Sequence, residues 1–224
     1  MVRTLGSLAV LTLAALTARA HFVFIVPDAK DPAKAVVVFG EELEPDEAVT
    51  MEKVAGLKLK VRGADGKAAD ATFTKGNHSF AEAVPGGGPR VVAGSVNYGV
   101  MQKGDAKPFL LVYHPKAVVG GVPADGGAAA GPAELVPTVA AGKVKFRLLA
   151  GGKPVADAEA TVLLPGGEKE KAKTDKDGYT KEFAGAGRYG VWARYVEAKA
   201  GELDGKKYEE VRHYPTLVLD VPQN

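Results

Sequence analysis

Four side chains in this sequence are suited to holding a transition metal at neutral pH: His21, His78, His114 and His213. The chain has no cysteine. Thiolate sites and cysteine nucleophiles are therefore excluded, and a bound metal must be held by imidazole, carboxylate or a terminal amine. His21 stands out by position. It follows Ala18-Arg19-Ala20, and small residues at that spacing read as a signal-peptidase site. Cleavage after Ala20 makes His21 the first residue of the mature chain. Its α-amine and imidazole can then chelate one ion with no positioning loop.

A second histidine beside that terminus gives three nitrogens in a T shape, an arrangement that resembles the histidine brace of exported copper proteins. His114 is the first expected partner and His213 the second, so the expected metal ligands are His21, His114 and His213. His78 lies in a polar stretch and reads as a solvated side chain. Nitrogen donors suit nickel, cobalt, zinc and copper, with copper tightest at a generic nitrogen site. The bland alternative is that these histidines are strand and core residues. Glu41-Glu42-Leu43-Glu44-Pro45-Asp46-Glu47 either lends a carboxylate to a cation or is a plain solvated loop, the simpler reading. Asp175-Lys176-Asp177-Gly178 begins like a calcium loop but lacks the terminal Glu, and turn chemistry explains it. Tyr98, Tyr113, Tyr189 and Trp192 either line a carbohydrate surface or pack a core. There is no Gly-x-Ser-x-Gly elbow, phosphate loop or His-Glu-x-x-His; no catalytic residue is expected and the chain reads as a non-enzyme.

The elements that must position these residues are strands. Residues 1–20 read as a secretory signal: Arg3, then an apolar run from Leu5 to Leu16, then a small-residue exit. That run is shorter than the roughly 20 apolar residues of a membrane span, and no later stretch reaches that length. Removing residues 1–20 takes away Arg3 and Arg19 and no acid, leaving 27 basic against 27 acidic residues. No basic cluster with interleaved aromatics points to nucleic acid. Phe22 to Val26 is a buried first strand stopped by Pro27, which would hold His21 still. Leu57 to Val61 alternates with period two, Asp65-Gly66 turns, and Ala71 to Thr74 returns. Pro108 to His114 is a strong strand that Pro115 should end. Val119 to Gly131 is rich in Gly, Ala and Pro and reads as a linker. Beyond it, Lys143–Leu149, Ala158–Leu164, Glu168–Lys173, Arg188–Val196 and Tyr208–Val221 are short strands parted by Gly/Pro turns. The expected fold is all-β, two Ig-like or transthyretin-like β-sandwiches. The expected division is signal peptide 1–20, N-terminal sandwich 21–118, linker 119–134 and C-terminal sandwich 135–224.

The second half carries a resemblance. Gly152-Lys153-Pro154-Val155-Ala156-Asp157-Ala158, then Thr174-Asp175-Lys176-Asp177-Gly178, then Gly187-Arg188-Tyr189-Gly190-Val191-Trp192 resemble a pattern of transthyretin-like and carboxypeptidase-regulatory-like sandwiches. The start Ala20-His21-Phe22-Val23-Phe24-Ile25-Val26-Pro27, taken with that second half, resembles the DUF4198 family of exported proteins. That resemblance implies a periplasmic or secreted component of nickel or cobalt uptake. Its partner would be a metal-uptake transporter or outer-membrane receptor. The expectation is thus an exported carrier of nickel, cobalt or copper held through His21. Its rival is a non-metal module for adhesion, carbohydrate or protein binding.

Overall fold

The computed structural model describes residues 21–223; the expected signal segment 1–20 lies outside them. The first half of the described chain forms β1 (Phe22–Pro27), β2 (Lys34–Gly40), β3 (Lys58–Arg62), β4 (Ala68–Asp70), β5 (Phe73–Lys75), β6 (Ser79–Ala83), β7 (Arg90–Met101) and β8 (Phe109–Val119). The second half forms β9 (Ala133–Ala140), β10 (Lys143–Ala150), β11 (Lys153–Pro154), β12 (Glu159–Leu163), β13 (Lys169–Lys173), β14 (Phe183–Ala184) and β15 (Gly187–Ala193). It closes with β16 (Tyr195–Glu197), β17 (Gly201–Leu203), β18 (Lys206–Tyr208) and β19 (Glu210–Val221). The fold is all-β and sandwich-like, with one short 3-10 turn at Glu52–Val54. No described helix is long and apolar enough to cross a membrane.

One nine-stranded sheet runs through both halves in the order β13-β12-β15-β19-β8-β7-β3-β4, with β16 also on β19. Its seam is the parallel pairing of β8 with β19, Glu210 on Phe109 through Leu219 on Val118. A four-stranded sheet, β1-β2-β6-β5, covers one face, and β11-β10-β14 with β9 covers the other. Strand parity decides which side chain enters which core. On β8, Leu111, Tyr113, Ala117 and Val119 join the first core, whereas Val118 joins the second. On β19, Val218 enters the first core and Leu217 and Leu219 the second. Phe22 and Phe24 meet Trp192 at ring-centroid distances of 5.0 and 6.0 Å, so β1 packs across the seam between the two halves of the chain. Residues 120–132 connect β8 to β9, so the ends of the stretch 119–134 belong to those strands.

Two strand expectations need correction. Pro115 does not end its strand: β8 continues to Val119, because proline removes one N–H while Lys116 and Ala117 keep pairing with Ala93 and Val92. Pro215 is likewise inside β19; it sits between the stretch paired with β16 and the stretch paired with β15, where no antiparallel acceptor is left waiting for its missing N–H. The hairpin after Asp65-Gly66 returns through Ala68–Asp70, which pairs with β3. Phe73–Lys75 crosses to the other sheet and pairs with β6; its ring stacks on Phe80 at 5.1 Å, so burial against that sheet outweighs continuation of the hairpin.

Gly94 shows how closely the central strands approach. A Cβ on it would collide with the Lys58 carbonyl oxygen and the Leu59 side chain. Gly94→Ala should therefore cost about 1–3 kcal/mol as overpacking, read as a lower urea midpoint; an unchanged midpoint would contradict so tight a β3–β7 contact.

Candidate functional site

His21 stands immediately before β1, which is buried along its whole length. The Tyr113 hydroxyl donates to the His21 carbonyl oxygen at 2.9 Å, and burial pushes the Tyr113 phenol up, keeping it a donor. The His21 ring lies 5.7 Å from Phe39. Its Nε2 is 3.0 Å from Asp46 Oδ2. Asp46 belongs to the acidic loop, and its other oxygen accepts the Ala48 N–H at 2.9 Å, which fixes the carboxylate. A carboxylate only accepts, so Nε2 carries the hydrogen, and in the neutral ring Nδ1 keeps a lone pair. The loop is thus more than solvated: one of its acids orients the candidate ligand. The pairing joins residues 25 apart, and only the acidic-loop reading hinted at it.

The other expected ligands are elsewhere. His114 is adjacent to Tyr113 on β8, so it points to the opposite face of the sheet. His213 shares that face: its neighbour Tyr214 packs in the first core with Phe22, and Val211, two residues away, clusters with Leu110 and Val112. His114 Nε2 lies 2.8 Å from His213 Nδ1, and the rings stack at 5.1 Å. His213 Nε2 lies 3.3 Å from Glu197 Oε2. The expectation that one of them completes the His21 site is corrected here: the structure pairs His114 with His213 and puts the sheet between them and His21. No group of three or more His, Cys, Asp or Glu side chains that could hold a metal is found among the described residues. The Nδ1–H of His78 donates to the Val49 carbonyl at 3.2 Å, a structural role.

The histidine pair has a direction. Glu197 can only accept, so His213 Nε2 carries hydrogen and Nδ1 is bare. His114 must then donate from Nε2, which leaves its own Nδ1 bare. Both rings are held neutral: burial pushes His114 down to about 4, with the neighbouring His213 adding to the effect. Burial also pushes His213 down, against the opposing pull of Glu197.

No protein-family model matches this chain, and no curated protein matches it. Among solved structures, the BSP domain of a biofilm-associated protein aligns over 87% of this chain and 29% of that one, with 12% identity and a TM-score of 0.19. The chain therefore spans less than a third of that structure's length, and at this score the likeness carries no argument about function.

Proposed function

We propose that this chain is an exported β-sandwich protein of the DUF4198 kind that binds a divalent transition metal (nickel, cobalt or copper) at the terminus created by cleavage before His21. It would serve as a carrier or accessory to metal uptake. One observation carries the reading: Asp46 holds the His21 ring through Nε2, the carboxylate–histidine arrangement that orients metal-binding imidazoles. That contact leaves Nδ1 as the coordinating atom, and the α-amine of the same residue closes the chelate. Tyr113 and the buried β1 keep the terminus from fraying. Two nitrogens from one residue suit a metal such as copper or nickel. A chelate this small, on a side chain 23% exposed, leaves the remaining positions open to a partner's ligands, as handing over a cargo requires.

The test is a Cu(II) and Ni(II) titration of protein ending in an authentic His21, beside the same protein with one added residue before it. Binding should be confined to the first. Asp46→Asn on the authentic terminus should weaken it about 10–100-fold. Equal binding by both proteins would overturn the reading and move the metal to the internal histidines. Binding by neither would favour the non-metal module.

A further inference from the structure

A cavity of about 360 Å³ lies on the His114 face of the long sheet. The central strand β7 faces it with Val91, Ala93 and Ser95, and the small Ala93 and Ser95 give it depth. Two rows cross its floor. Lys60 pairs with Ala93 and Ala93 with Lys116. Lys58 pairs with Ser95, and the register of Val96 on Tyr113 and Ala93 on Lys116 sets Ser95 opposite His114. The roof is the end of the predicted linker and the start of β9: Ala129, Gly131, Pro132, Ala133 and Glu134 line the far wall.

The polar groups divide cleanly. Glu134 is fully engaged, accepting from Lys116 Nζ at 2.9 Å and from the Ala129 and Ala130 N–H groups at 2.7 and 3.1 Å. Lys116 is 2% exposed and also donates to the Gly127 carbonyl at 3.2 Å. An ammonium has three hydrogens, so one of them has no partner among the described residues. His114 is 6% exposed, lines the cavity, and its bare Nδ1 has no hydrogen-bond partner among the described residues. Two residues apart on the strand face that lines the cavity, His114 thus carries one unpartnered acceptor and Lys116 one unpartnered donor among the described residues. A hydroxyl group, which donates and accepts, satisfies both. A carboxylate facing a bare Nδ1 does not. At the mouth, Arg62 is paired with Asp125 at 3.0 Å and Lys60 loosely with Asp70 at 3.9 Å. Lys58 has no ion-pair partner among the described residues. Cations outnumber acids on the lining, so an anion is favoured there.

We propose that this cavity binds a small hydroxylated organic acid, its hydroxyl between His114 Nδ1 and Lys116 Nζ, its apolar body over Ala93 and under Pro132, and its carboxylate at Lys58. The dimensions agree. His114 and Lys58 stand two strands apart, about 10 Å between backbones, and a para-hydroxylated aromatic acid spans that gap with its hydrogen bonds. The volume is within the range of small-molecule sites. Glu197 and His213 serve as positioning residues, since they hold His114 in the tautomer that leaves Nδ1 bare. This site is independent of the His21 terminus and lies on the other side of the sheet.

Calorimetry on the metal-free protein in EDTA tests it, with 4-hydroxybenzoate as probe and benzoate and 4-hydroxybenzyl alcohol as the comparisons lacking hydroxyl or charge. Saturable binding of 4-hydroxybenzoate is expected, with each comparison weaker by about tenfold or more. Ala93→Phe fills the floor and should abolish binding while circular dichroism stays that of the parent. Lys58→Glu, on an exposed side chain, should weaken 4-hydroxybenzoate about tenfold and leave 4-hydroxybenzyl alcohol unaffected. Failure of 4-hydroxybenzoate to bind at about millimolar concentration would overturn the proposal. So would benzoate binding as tightly, or Lys58→Glu leaving the affinity unchanged. Because EDTA is present throughout, failure here says nothing against metal binding at His21.

Discussion

Glu134→Ala is expected to lower the stability of the protein by about 3–5 kcal/mol, the cost of leaving one partner of a buried ion pair uncompensated. Both partners are nearly inaccessible, Lys116 at 2% and Glu134 at 5% exposure. Burial pushes the Lys116 ammonium down, with the Arg62 charge adding to it, and Glu134 is the first of the influences that oppose it. Removing the carboxylate also orphans the Ala129 and Ala130 N–H groups, which tie residues 129–134 over the sheet. Urea denaturation at pH 7 measures the loss. A double replacement, Lys116→Met with Glu134→Leu, should recover most of it, because apolar substitutes of similar volume avoid desolvating two charges. A single-variant cost below about 1 kcal/mol, the size of an exposed pair, would show that Lys116 finds water or another acceptor, and the roof would not be held as described.

Acid should weaken the fold through His114. Its pKa is about 4 in the folded state, against about 6.5 in an unfolded chain. Above pH 6.5 the ring is neutral in both states and its contribution is fully present. As pH falls from 6.5 towards 4, the unfolded chain takes up a proton that the folded chain refuses, so stability declines with pH. The gap of about 2.5 units corresponds to about 3 kcal/mol. Below pH 4 the folded ring also protonates and this source adds no further loss. His213 acts in the same direction, although Glu197 offsets part of its shift and Lys199 adds to it. Tyr195 stacks on the His213 ring at 5.8 Å, and Lys116 lies two residues on from His114 on the same face of β8. Urea midpoints between pH 7.5 and 4.5 should slope downwards in the parent and less steeply in His114→Leu. Equal slopes would remove His114 from the acid sensitivity.

The strands were legible wherever a local period or a local run specified them. Phe22 to Val26 is apolar on both sides, and β1 is buried on both sides. Lys58-Leu59-Lys60-Val61 alternates, and so does its exposure. Lys169 to Lys173 alternates as an exposed strand does. The same local reasoning failed at Pro115. A proline reads as a stop, yet flanking residues with partners on two sides outweigh the loss of one N–H. By composition 119–134 reads as a linker, but Val119 belongs to β8 and Ala133 and Glu134 to β9. Composition did not reveal that its end, through Glu134, clasps Lys116 and closes a cavity.

The candidate site was legible in part. His21 was singled out by the small residues before it, and the acidic loop by its charge, but their pairing joins two segments through tertiary packing. The grouping of histidines failed for a simple geometric reason. Neighbouring residues on a strand face opposite sides, so Tyr113 meeting His21 obliges His114 to look away, towards His213.

By itself, then, the sequence determined the all-β class, most of the strands, and the chemical types available: no thiols and four imidazoles. These follow from short-range pattern and composition. The tertiary structure alone decided the parallel β8–β19 seam, which face each histidine occupies, and which acid meets which base. Those depend on strand register and on contacts between residues 16 to 101 positions apart, and one residue of register moves a side chain to the other face of the sheet.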